Sequence, residues 1–166
     1  MANLSTNPWS FTNADQAASV AITSIVNKGA SALVTTSGAH GLSVASKISI
    51  QGQTVVPGWN NGYRVLSVPS TTTFYIPVDP AKSALGNGGA VGNVLTAAYL
   101  DKIRIEQLVW QDATAAQLTI TDTNGNVIWS QLPPSVGVTY TYGKLYWVDG
   151  IVINALPAGT LLATIN

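Results

Sequence analysis

The chain has 166 residues, with seven basic and seven acidic side chains, one His and no Cys. Its apolar share of 46% is enough to bury a core, which excludes intrinsic disorder, and the absence of Cys excludes disulfide and thiolate chemistry. A net charge of zero without a basic cluster argues against nucleic acid as a partner, because phosphate binding requires Lys and Arg.

Charged residues are scarce, at 8% of the chain, whereas about a quarter is usual for a soluble domain. The polar surface must therefore come from 18 Thr, 14 Ser, 12 Asn and 7 Gln. A neutral surface of this kind repels other protein surfaces weakly, so the composition favours a chain that packs within an assembly. Neither an export signal nor an apolar run of about 18 residues is found, so no membrane association is expected.

Residues 1–13 show no periodicity and are predicted to form an N-terminal arm. The arm is either a frayed terminus or a segment that docks Trp9 and Phe11 on a neighbouring subunit. Thr12 or Asn13 is predicted to cap a single helical turn over residues 14–18. No other segment has the pattern of a helix of useful length.

Short β runs alternate with turn formers in the first half of the chain. A Gly-rich stretch at 86–89 is the best linker candidate, and a module boundary is placed between residues 81 and 96. The strands expected before it cover residues 20–26, 32–36, 47–50, 63–68 and 73–78.

The second half repeats this style. In the run 102–110, Ile103, Ile105 and Leu108 are expected to share one face. The pair Asn124-Gly125 predicts a hairpin with a type I′ turn, because that turn needs positive φ at both central residues. A second hairpin is expected around Asp149-Gly150, with 140–148 and 151–153 as its arms, and residues 161–165 are expected to form the last strand.

The aromatic run 140–147 is predicted to place its side chains on two faces. Tyr140, Tyr142 and Tyr146 would share one face and contact a neighbouring subunit, since Tyr is enriched in interfaces. Trp147 and its neighbour Leu145 would point to the core.

Together these patterns predict an all-β protein. A small β-barrel-like module is expected over residues 14–90, followed by a β-sandwich or jelly-roll-like module over 96–166.

No stretch of the sequence predicts an active site, so the chain is not expected to be an enzyme. His40 is the only His and is expected to bond local backbone in its turn. Residues 122–126 resemble the start of a calcium loop, but Pro133 stands where the closing Glu belongs. The Gly-rich stretch departs from the dinucleotide fingerprint at Val91. Neither a metal nor a cofactor is expected, and no spacing favours a catalytic pair among the carboxylates Asp101, Glu106, Asp112 and Asp149.

Two stretches resemble bacteriophage proteins. The order "ALVTT", "AHGL", "KISIQG", "NGYRV" and "TTTF" within residues 20–78 is similar to a small β-barrel module of phage virion proteins. That module is related to the first catalytic-cysteine half-domain of ubiquitin-activating enzymes, whose chemistry is not implied here because the chain has no Cys. Ala45-Ser46 replaces the usual Gly-Asp of the module. Residues 103–161 more loosely resemble small phage structural proteins encoded near capsid genes.

The resemblance implies a non-enzymatic structural protein of the virion. A capsid cement or decoration protein is expected, which would bridge subunits of the major capsid protein and associate with itself as a homotrimer. A tail, neck or fibre component is the nearest alternative. A carbohydrate-binding module is a third, since five Trp and six Tyr offer stacking platforms.

Overall fold

The structure is a computed structural model that describes residues 7–113, 116–132 and 137–166, apart from the side chains of Val138, Lys144, Leu145 and Tyr146. Strands make up 57% and helix 6%, which confirms the all-β prediction. The strands of the described residues are β1 (Trp9–Phe11), β2 (Ser19–Asn27), β3 (Ser31–Thr36), β4 (Lys47–Gln51), β5 (Asn61–Arg64), β6 (Ser67–Ser70), β7 (Thr73–Pro77), β8 (Asn93–Thr96), β9 (Tyr99–Ala113), β10 (Leu118–Thr121), β11 (Val127–Gln131), β12 (Val138–Ala155) and β13 (Thr160–Ile165).

The strands form two antiparallel sheets. The first has the order β5-β4-β8-β2-β3-β7-β6, and all seven strands pack side chains against one core, so the sheet curls around it. The largest fully buried members of this core are Trp59, Phe74, Ile25, Ile48, Ile50 and Ile76.

The second sheet has the order β1-β13-β9-β12-β10-β11 and its own core. Within β9, Ile103, Ile105 and Leu108 are all buried, as their spacing predicts. The largest fully buried members of this core are Trp110, Phe11, Ile105, Leu108, Leu118 and Ile120.

The N-terminal aromatic residues belong to this second sheet. Strand β1 pairs with β13, and Trp9 and Phe11 are both buried in the core. A single 3-10 turn (Asn13–Asp15) follows, in which the backbone N–H and the hydroxyl of Thr12 both donate to the Asp15 carboxylate, at 2.9 and 3.1 Å. The cap at Thr12 is present as predicted, but the turn is a 3-10 turn over Asn13–Asp15 and not the helical turn over residues 14–18 that the sequence predicts.

The Gly-rich stretch is packed against the first sheet. Gly88 and Ile25 exchange both backbone hydrogen bonds, at 2.9 and 3.2 Å, and β8 then lies between β4 and β2. The chain passes between the sheets at Ala97 and Ala98, whose N–H groups donate to backbone carbonyls of β4 and β12, respectively. Independent folding of the two predicted modules stays a prediction.

The first predicted hairpin is present, but its turn is not type I′. Asp122 O accepts from the N–H of Gly125, and within the turn only Gly125 has a positive φ, of 91°. This is the pattern of a type I turn followed by a left-handed Gly. The Asp122 carboxylate favours it by accepting the N–H groups of Asn124 and Asn126, at 2.9 and 2.8 Å, as in an Asx turn.

The second predicted hairpin is wrong, because β12 continues through Asp149-Gly150 as one strand. A bulge lies between Asp149 and Ile151, with Gly150 at a φ of 77°. The strand pairs with β9 as far as Ile151, just past the bulge, and with β10 from Val152 onward. A left-handed Gly serves a bulge as well as it serves a turn, so the dipeptide bends the strand instead of reversing it.

Buried polar groups connect the two sheets. The Ser49 hydroxyl, which is fully buried, donates to Thr123 O at 2.7 Å. The Gln51 side-chain amide donates to the Thr121 hydroxyl at 3.0 Å and to Asp122 O at 3.1 Å. Because buried polar groups are costly to leave unpaired, these bonds fix how the sheets meet.

Candidate interaction surface

The side of the second sheet that points away from its core forms a continuous surface. Thr141, Val109 and Leu162 lie directly opposite one another on β12, β9 and β13. Trp147 lies opposite Arg104 farther along β12 and β9. We call this surface the outer face, and it consists of Trp147, Arg104, Gln107, Val109, Thr141 and Leu162.

Trp147 is the most prominent residue of the outer face. Its side chain is 61% exposed, whereas the other four Trp residues are at most 7% exposed. A large aromatic side chain left in water on a sheet face is the residue type that most often anchors a protein interface.

The prediction that Trp147 belongs to the core is wrong. Tyr140 and Tyr142 lie opposite Trp110 and Leu108, which face the core, and both tyrosines pack against it. Tyr140 and Tyr142 therefore lie on the opposite face from Trp147, as predicted, but the two tyrosines face the core and Trp147 faces solvent. The buried residues of β9 decide which side of β12 points inward, and the β12 sequence alone does not contain that information.

The predicted interface residues with described side chains are not exposed. Trp9 and Phe11 are core residues, and Tyr140 and Tyr142 are half-buried. Tyr142 also stacks on Trp129, with ring centroids 5.8 Å apart. The side chain of Tyr146 lies outside the described residues. Within this subunit the four described aromatic side chains stabilise the core, and sequence reasoning missed Trp147 as the exposed residue.

The remaining large exposed apolar side chains among the described residues are aliphatic. They are Val44, Val55, Leu66, Val91, Val127 and Leu132. Single exposed aliphatic residues are normal on protein surfaces and need no functional explanation.

His40 anchors its own turn, which confirms the prediction of a local backbone bond. Its Nδ1 accepts the N–H of Leu42 at 3.0 Å, and its ring meets Phe74 edge-on with centroids 5.1 Å apart. The Nε2 atom is buried without a hydrogen-bond partner in the described part of the chain. A cavity of about 60 Å³ beside the ring is large enough for one or two water molecules.

Two of the acidic residues named in the sequence analysis use their carboxylates in hydrogen bonds to Asn side chains. Asp122 uses its carboxylate within its own turn, and Glu106 accepts the side-chain amide of Asn166 at 2.9 Å. Across residues 7–113, 116–132 and 137–166, no three His, Asp or Glu side chains are arranged to hold a metal ion. None of the helices in those ranges is long and apolar enough to cross a membrane.

Comparison with known proteins gives no relative. No family model, no curated protein and no solved structure matches this chain.

Proposed function

We propose that the chain is a non-enzymatic structural protein of a bacteriophage virion, of the capsid cement or decoration type. In this proposal it binds major capsid protein subunits through the outer face and associates with itself as a trimer. The observation that carries the proposal is the 61% exposed Trp147 on a sheet face. The phage-like order of motifs within residues 20–78 and the neutral surface support it.

The outer face has the chemistry of a protein interface. Val109 and Leu162 add apolar surface beside Gln107 and Thr141, and Arg104 adds a positive charge. On the same side of the sheet, Lys102 and Asp149 lie opposite each other, next to the pair of Arg104 and Trp147. Removing charges from water is the costly part of many associations, and Val109, Thr141 and Leu162 contribute no charge to the contact. Arg is itself enriched among residues that anchor interfaces.

Repetition makes a modest contact effective. Covering the exposed part of one indole removes on the order of 100 Å² from water and contributes about 2–3 kcal/mol. A cement protein repeats that contact at every seam between capsid subunits, so the effect on the whole shell is large even when each contact is weak.

We expect Trp147→Ser to weaken binding to capsids without unfolding the chain. The purified chain would be added to phage particles that lack it, and the bound fraction measured by co-sedimentation. A loss of about 2–3 kcal/mol of binding free energy would raise the dissociation constant roughly 30- to 150-fold.

Val127→Ser is the matched control. Val127 is 62% exposed, but it lies on the edge strand β11, two strands away from β12. Its replacement removes a similarly exposed apolar residue and should leave the dissociation constant unchanged. Binding of the Trp147 variant with wild-type affinity would exclude the outer face as the capsid contact.

An exposed Trp on a sheet face also fits a carbohydrate-binding module, because an indole stacks on the apolar side of a sugar ring. This second candidate predicts that Trp147→Ser abolishes binding to a polysaccharide and leaves capsid binding unchanged.

A further inference from the structure

A groove of about 340 Å³ lies where β5 approaches the end of β7, two strands near opposite ends of the strand order of the first sheet. Small-molecule sites have volumes of roughly 300–1,000 Å³, so this groove is large enough for a ligand. It is separate from the outer face, which belongs to the second sheet. The side chains that line it are Asn61, Tyr63, Pro77, Val78, Asp79 and Lys82.

Lys82 is the most unusual of these residues. Its ammonium group lies over the Tyr63 ring, 5.8 Å from the centroid, and makes no hydrogen bond or ion pair with any residue that the structure describes. Burial lowers the pKa of Lys82, although the nearby Asp79 carboxylate opposes this shift. A half-buried ammonium with three unused donors favours a ligand that brings acceptors.

Two further polar atoms beside Lys82 are also free. Asp79 accepts the Ala81 N–H through Oδ1 at 2.8 Å, and none of the residues that the structure describes donates to its Oδ2. Asn61 accepts the Gly62 N–H through Oδ1 at 2.8 Å, which leaves its NH₂ group as a donor. The groove thus combines one carboxylate acceptor with amide and ammonium donors, and Pro77 and Val78 add apolar surface.

We propose that this groove binds a sugar unit of a neutral polysaccharide. Neighbouring hydroxyl groups of a sugar donate to a carboxylate and accept from amide and ammonium groups, while the C–H side of the ring packs on apolar surface. The paired charges favour a neutral ligand, since Asp79 repels an anion and Lys82 repels a cation. This site goes beyond capsid binding and does not depend on it.

The test is to titrate the full chain with neutral trisaccharides of glucose, galactose, mannose and N-acetylglucosamine. Binding is monitored through the NMR chemical shifts of the backbone amides. At least one trisaccharide should shift the signals of residues 61–63 and 77–82. Two variants should each raise the dissociation constant of that trisaccharide at least about tenfold. They are Lys82→Met, which keeps the apolar stem, and Asp79→Asn, which keeps the Oδ1 acceptor.

Lys28→Met, at an exposed turn of the same sheet, is the matched control and should bind as the wild type does. Trp147→Ser should also bind normally, which separates this site from the outer face. The proposal is overturned if no neutral trisaccharide shifts these signals, if the shifts cluster around Trp147, or if Lys82→Met binds like the wild type.

Discussion

Replacing Trp110 with Ala is expected to lower the free energy of unfolding by about 3–5 kcal/mol. Trp110 is fully buried on β9, where it lies between Tyr140 of β12 and Leu161 of β13. Its indole N–H donates to Ala158 O at 2.8 Å. The change removes the largest fully buried side chain of this core and leaves a partly buried carbonyl without its partner, so the costs of the cavity and of the lost hydrogen bond add together.

Urea denaturation monitored by circular dichroism measures the free energy of unfolding, and Trp147→Ala is the control variant. Because Trp147 is 61% exposed, its replacement should cost less than about 1 kcal/mol. Trp110→Phe keeps most of the side-chain volume, so its loss of unfolding free energy should lie between the losses of the two Ala variants. Equal losses for the two Ala variants would mean that the faces of β9 and β12 are assigned wrongly.

The Gly150→Ala variant is expected to lose roughly 2–5 kcal/mol of stability. Gly150 has a φ of 77°, and a Cβ there would lie 2.5 Å from Tyr99 O and 2.7 Å from the Thr123 methyl group. The left-handed backbone costs about 1–2 kcal/mol for Ala, and forcing an atom into packed surroundings costs about 1–3 kcal/mol more.

Gly143→Ala provides the matched control on the same strand. A Cβ at Gly143 would meet nothing within 4 Å, so this variant should be as stable as the wild type or slightly more stable. Thermal unfolding of both variants makes the comparison. If Gly150→Ala unfolds at the wild-type temperature, β12 does not pass beside Tyr99 in the way described.

Local patterns predicted the strands well where one side of the strand is buried. The alternation along β9 identified Ile103, Ile105 and Leu108 as core residues, because burial and side-chain period agree there. The hairpin at Asn124-Gly125 was also found, since turn formers between two apolar runs are a local signal.

Other features depend on residues that are distant in sequence. Gly86–Gly89 has the composition of a linker, yet a Cβ at Gly88 would lie 2.9 Å from the Cβ of Ile25, so this Gly permits close packing. The Asp149-Gly150 pair is compatible with a turn or a bulge, and pairing with β9 and β10 decides between them. The exposure of Trp147 likewise depends on which side of β9 is buried.

The number of copies per particle tests the central claim, that this chain is a cement protein of a capsid, most directly. Under the proposal a phage encodes the chain, and quantitative mass spectrometry of that phage's purified virions would compare the abundance of the chain with that of the major capsid protein. The proposal predicts hundreds of copies, in a fixed ratio to the capsid subunits. A handful of copies would instead place the chain in the tail, neck or fibre, and its absence from purified virions would contradict a structural role.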